Sequence, residues 1–88
     1  MKLKYKFSMI EVGDEINAVP VGAGAKAFHG ILNLNETGKT IMTLLEQDRE
    51  PDAVVAHFIA SYPDMDPAEI REDVMDFIQQ LLAHGLLI

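Results

Sequence analysis

The chain has 88 residues, enough for a single domain over 1–88 with one modest core. Its 49% apolar content excludes a disordered chain, and the lack of Cys excludes a disulfide framework, a thiolate metal site and a cysteine nucleophile. The net charge of −7 is uneven: residues 1–44 hold five Lys against four acids, and residues 45–88 hold two Arg against ten. A duplex-DNA reader needs cations on its recognition helix to neutralise phosphates. The acidic C-terminal half therefore argues against nucleic acid as a partner. No apolar run approaches the ~20 residues of a membrane span, and residues 1–7 lack the apolar block of a signal peptide. These features, with the missing cysteines, lead us to expect a cytoplasmic protein with no membrane partner.

Leu3, Tyr5, Phe7 and Met9 alternate with Lys2, Lys4, Lys6 and Ser8, which predicts a first strand over about residues 3–12 with one core face and one solvated face. Gly13-Asp14 reads as a turn, and residues 15–21, rich in Ile and Val, as a second strand. Gly22-Ala23-Gly24-Ala25-Lys26 reads as a flexible connector. A third strand is predicted over about 27–34, where Phe28, Leu32 and Leu34 alternate with His29, Ile31 and Asn33. Asn35 stands where an N-cap belongs, with Glu36 in the first turn of a helix over 36–47 that buries Ile41, Leu44 and Leu45. A second helix, 51–61, opens on Pro51, buries Val54, Val55, Phe58 and Ile59, and stops at Tyr62-Pro63. A third, 67–84, opens on Asp66-Pro67-Ala68-Glu69, buries Ile70, Val74, Phe77, Ile78, Leu81 and Leu82, and closes at Gly85. The expected fold is α+β and winged-helix-like: a three-stranded antiparallel meander followed by three helices.

A meander leaves two edges. The lysines of strand one are the usual guard against edge pairing, whereas strand three has only His29 as a chargeable group, and Gly30 leaves room for a close backbone approach. The expected binding edge is therefore Phe28, His29, Gly30, Ile31, Leu32 and Asn33. Ordering five residues of a visiting strand costs roughly 5–10 kcal/mol of backbone entropy. Five ladder hydrogen bonds return about 2.5–7.5 kcal/mol net. Apolar anchors worth about 1.5–3 kcal/mol each must tip the balance, so an edge site needs a groove beside it. Helix three offers one flank with Arg71, Met75, Ile78 and Leu82, and an opposite flank with Asp73, Gln80 and His84. The first flank is the expected groove wall: Met75 suits varied side chains, and Arg71 suits an acidic peptide residue.

His29-Gly30, then Leu34-Asn35-x-Thr37-Gly38, Ile41 and Leu44-Leu45, the Tyr62-centred end of helix two, and an acidic third helix ending His84-Gly85-Leu86-Leu87 recur in that order along nearly the whole chain. In this the sequence resembles the PqqD family, also called the RiPP recognition element. It departs from it at Glu50-Pro51, where many relatives place a Thr or Ser cap, and at Met42, where an aromatic residue is frequent. The resemblance implies a non-catalytic protein that binds the leader of a ribosomally made precursor peptide by strand addition beside strand three and against helix three. It implies presentation of that peptide to a modifying enzyme, often a radical SAM protein; pyrroloquinoline quinone (PQQ) biosynthesis is the namesake pathway. An open edge also permits a homodimer by strand pairing.

Other motifs fall short. Gly38-Lys39-Thr40 follows a strand, but the P-loop glycine five residues earlier is Asn33. Asp64-x-Asp66 lacks the glycine and the bidentate Glu of a calcium loop. His29, His57 and His84 lie on three elements without ligand spacing, and no Ser or Thr has a base near it. No catalytic residue, metal or cofactor is expected. The alternative function is a winged-helix transcriptional regulator binding DNA; it requires a cationic third helix, and this one sets Arg71 against Asp66, Glu69, Glu72, Asp73 and Asp76.

Overall fold

The computed structural model describes residues 1–27 and 30–88. Strands β1 (Phe7–Val12), β2 (Glu15–Pro20) and β3 (Leu32–Leu34) form an antiparallel sheet in the order β1-β2-β3, with a short helix α1 (Ala23–Ala27) between the last two. Helices α2 (Glu36–Leu44), α3 (Pro51–Ser61) and α4 (Pro67–Ala83) follow. Val12 pairs with Glu15 across a tight Gly13-Asp14 turn. Gly13 has φ +60 and no non-glycine residue has positive φ among the described residues, the arrangement of a type II′ hairpin turn that matches strand twist.

Cross-strand register sorts the sheet faces. Glu11, Ile16 and Leu34 share one row, and Met9, Ala18 and Leu32 the next. Ile16, Ala18 and Leu34 are buried beneath the helices with Ile41, Met42, Leu45, Val55, Phe58, Val74, Ile78, Leu81 and Leu86. Asn35 caps α2 by accepting from the Gly38 amide at 2.8 Å, and Asp66 caps α4 by accepting from Ala68 at 3.0 Å. Gly85, at φ +70, ends α4. The Leu86 amide donates to the Leu81 carbonyl and the Gly85 amide to Leu82, both at 3.0 Å, which is the Schellman arrangement.

Five elements differ from the expected boundaries, the second strand only by ending at Pro20 rather than residue 21. Strand one starts at Phe7, not residue 3, because the preceding segment has another partner: Lys2 and Ile88 exchange backbone hydrogen bonds at 2.9 Å, and the Lys4 amide donates to Leu86 at 2.7 Å. The described part of strand three is Leu32–Leu34: Ala27 belongs to α1, Gly30 and Ile31 precede the ladder, and the part of the expected strand at 28 and 29 lies outside the described residues. The first long helix ends at Leu44, not 47; tighter turns from Thr43 to Glu46 and Leu44 to Gln47 follow, and Arg49 Nε donates to the Leu44 carbonyl at 2.8 Å. The last ends at Ala83, with His84 as its cap.

The connector is the largest departure. Residues 23–27 form α1 because Gly24 is buried against the chain: a Cβ there would stand 2.7 Å from Tyr5 Cβ and 3.4 Å from Pro20 Cβ. Gly24→Ala should lower stability by about 1–3 kcal/mol through overpacking, despite the better helix propensity of Ala. Urea unfolding measures it, and an unchanged midpoint would mean Tyr5 does not hold α1 in place.

Candidate functional site

β3 lies at the sheet edge, and its open side can be read from the hydrogen-bond phase. The Val21 amide donates to the Lys6 carbonyl at 3.0 Å, in register with the Val12–Glu15 pair, so odd-numbered residues of β2 bond to β1. Hydrogen bonding alternates along an antiparallel pair. Ile16 and Ala18 therefore bond toward β3, opposite Leu34 and Leu32. Asn33, and Ile31 one step before the strand, turn their N–H and C=O groups away from the sheet. The Ile31 side chain is 64% exposed, and the Asn33 side chain donates from Nδ2 to Asn17 Oδ1 at 3.2 Å on the outer face.

The lysines do not distinguish the two edges. Lys2 and Lys4 lie in the segment paired with the C-terminal tail, and Lys6 just precedes β1. On β1 itself the one charged side chain is Glu11, held by Lys39 Nζ at 2.8 Å. What singles out β3 is its surroundings. At its end, α2 and α4 meet through Phe77, whose ring packs on Gly38; a Cβ on that glycine would stand 3.0 Å from Phe77 Cε1. Around this contact runs a cavity of about 290 Å³ lined by Asn35, Thr37, Gly38, Asp73, Asp76, Phe77 and Gln80. A second, of about 200 Å³, adjoins it through Thr37 and Asp73 and is more apolar, with Phe58, Tyr62, Met65 and Ile70 in its wall. Tyr62 and Met65 are half exposed there. From Ile70 to Gln80 the helix advances roughly 15 Å, so the two cavities form one groove along α4, and Asn35, the residue that follows β3, stands in its wall. A larger concavity, about 490 Å³, lies elsewhere, along residues 2–7, Met9 and Glu46, on the β1 side of the sheet.

The expected site residues divide. Gly30, Ile31, Leu32 and Asn33 lie on or next to the open edge, with Leu32 half-buried on the inner face; Phe28 and His29 fall outside the described residues. Arg71 is turned toward α3, where its Nη1 donates to Asp52 at 3.0 Å. Ile78 is fully buried in the core and Met75 packs partly against it, while Leu82 is 44% exposed. The cavity at the start of α2, just past β3, is lined instead by the opposite flank of α4, Asp73, Asp76, Phe77 and Gln80. Helical periodicity separates two flanks but carries no sign for which one faces the strand. The single cue in the sequence was Gly38, whose place in a first turn marks a close approach from another element.

Glu69, Glu72, Asp73 and Asp76 are all exposed on α4 and its one cation is engaged by Asp52, so this helix presents negative charge where a DNA reader needs positive. Among the described residues no group of three His, Asp or Glu gathers as a metal site, and no helix is long and apolar enough to cross a membrane.

A family model described as coenzyme PQQ synthesis protein D (PqqD) matches residues 24–87. No curated protein gives a match. Among solved structures, TbiB1 in complex with the TbiA(beta) leader peptide is similar to this chain, with a TM-score of 0.70 and 25% identity over 99% of this chain and 94% of that one.

Proposed function

This chain belongs to the PqqD family, and from that premise we propose that it binds the leader segment of a ribosomally made precursor peptide and presents it to a modifying enzyme. Proteins of the family are non-catalytic peptide chaperones. The observation that carries the reading is the open edge at Ile31 and Asn33, on a strand that runs through Asn35 into the groove between α2 and α4. Backbone groups of an incoming strand pair with the outward N–H and C=O groups, and side chains on its inner face enter the cavities at Phe77 and at Tyr62–Met65. The likeness to a structure determined with its leader peptide bound supports the same mode of use. The enzyme class we propose is radical SAM, on family resemblance, with PQQ biosynthesis as one candidate pathway. A homodimer paired through the same edge would compete with the leader.

The test uses a display library of random twelve-residue peptides selected on the full chain. Binders should shift the amide resonances of Ile31, Asn33 and the Asp73–Gln80 flank in NMR titration. A selection that yields no binders, or binders that perturb only the β1 side, would overturn the proposal. Within the groove, Met65→Asp should weaken the selected peptides about tenfold or more by placing a charge in an apolar anchor site, measured by calorimetry with unfolding midpoint as the folding control.

A further inference from the structure

The groove between the start of α2 and α4 has a chemistry of its own. Its floor is the half-buried ring of Phe77, and one wall carries two carboxylates, Asp73 and Asp76, with the Gln80 amide beyond them. Spaced three apart, Asp73 and Asp76 lie on the same side of α4. Both are exposed, and among the described residues neither is engaged in an ion pair. The cations of the two helices that form the groove are spoken for: Lys39 of α2 by Glu11 at 2.8 Å and Arg71 of α4 by Asp52 at 3.0 Å. An aromatic face flanked by carboxylates suits one kind of side chain, a long stem ending in a cation. The stem lies along the ring, the cation meets the π face, and its N–H groups donate to the carboxylates. An acidic peptide residue would be repelled here, and an apolar one would strip water from two charges without replacing it.

We propose that the peptide taken by this chain carries an Arg or Lys that seats over Phe77 between Asp73 and Asp76. The inference rests on the leader-binding reading and adds the class of residue recognised. Because side chains on one face of a strand recur every second residue, that basic residue stands two or four positions from the apolar residue that fills the adjoining Tyr62–Met65 cavity. Arg serves better than Lys, since its planar fork meets carboxylates in pairs and stacks on a ring. The net charge of −7 steers a basic peptide toward the protein as a whole; the groove selects its register.

The same random library is selected in parallel on the native chain and on the Asp73→Asn/Asp76→Asn variant, whose changes are on the exposed surface of α4. Native selections should enrich Arg or Lys at one position, at fixed spacing from an apolar residue, and the variant should lose that enrichment while keeping the apolar one. A synthetic peptide from the native pool should bind about tenfold more weakly when its basic residue becomes Gln. That penalty should vanish on the variant, and Phe77→Leu should reduce it. Binders that map to Ile31 and Asn33 but show no basic preference, or the same preference on the variant, overturn this inference and leave the leader-binding reading standing. A native selection with no binders overturns both.

Discussion

Ile31→Pro should abolish or severely weaken peptide binding while the domain stays folded, and Leu32→Pro, one residue on, should unfold it. The contrast follows from hydrogen-bond phase. The Ile31 N–H faces outward from the β3 edge, so proline there removes one ladder bond to a visiting strand, about 1 kcal/mol, and places a ring where that strand must approach. It costs the folded protein little, because edge positions tolerate proline and the preceding Gly30 accepts the restricted backbone. Leu32 stands opposite Ala18 in the half of the register that bonds toward β2, so proline there breaks the sheet from within. We expect Ile31→Pro to cost at least tenfold in affinity, Asn33→Pro a similar loss, and the pair together to take binding below detection by fluorescence anisotropy. Far-UV circular dichroism and thermal midpoint report the fold. Full affinity in folded Ile31→Pro would mean the peptide lies elsewhere.

The sequence made parts of this site legible and concealed others for identifiable reasons. Capping and periodicity are local, so the helix starts at Glu36, Pro51 and Pro67 could be read from Asn35, Pro51 and Asp66. The alternation of Leu32 and Leu34 with Ile31 and Asn33 gave the inner and outer faces of β3, and the structure places them so. Partner identity is not local. The Leu3–Tyr5 stretch alternates like a strand, but the chain bends at Lys4 and Tyr5 and Leu3 bridges to Leu87 at the far end of the chain, which no window of neighbouring residues reveals. The Gly-Ala run over 22–26 looked flexible by composition; its order comes from Tyr5 and Pro20, which it packs against. The groove wall is the same kind of case. Asp73 and Arg71 stand on opposite flanks of the wheel, and only the packing of Phe77 on Gly38 and the Arg71–Asp52 pair fix which flank turns toward α2 and which toward α3.

Leu86→Ala should be among the most destabilising single changes in the chain, although Leu86 is third from the last residue. Its side chain is fully buried, and loss of a buried Leu costs about 2–5 kcal/mol. For a domain of 60–100 residues each kcal/mol shifts the melting temperature by about 4–8 °C, so a fall of roughly 8–40 °C is expected. The penalty is high because three devices converge there. Gly85 turns the chain back, the Leu86 amide closes the Schellman ring on Leu81, and the Leu86 carbonyl accepts from Lys4 to hold the N-terminal segment. Ile88→Ala is the control, since that side chain is 61% exposed and should leave the midpoint nearly unchanged. Below its lowered midpoint Leu86→Ala should bind peptide with native affinity, because Val74 and Ile78 still seat the Asp73–Phe77 turn on the core. A midpoint within a few degrees of the native chain's would show that the tail rests on the core without clamping it, and that α4 is positioned by its own buried face alone.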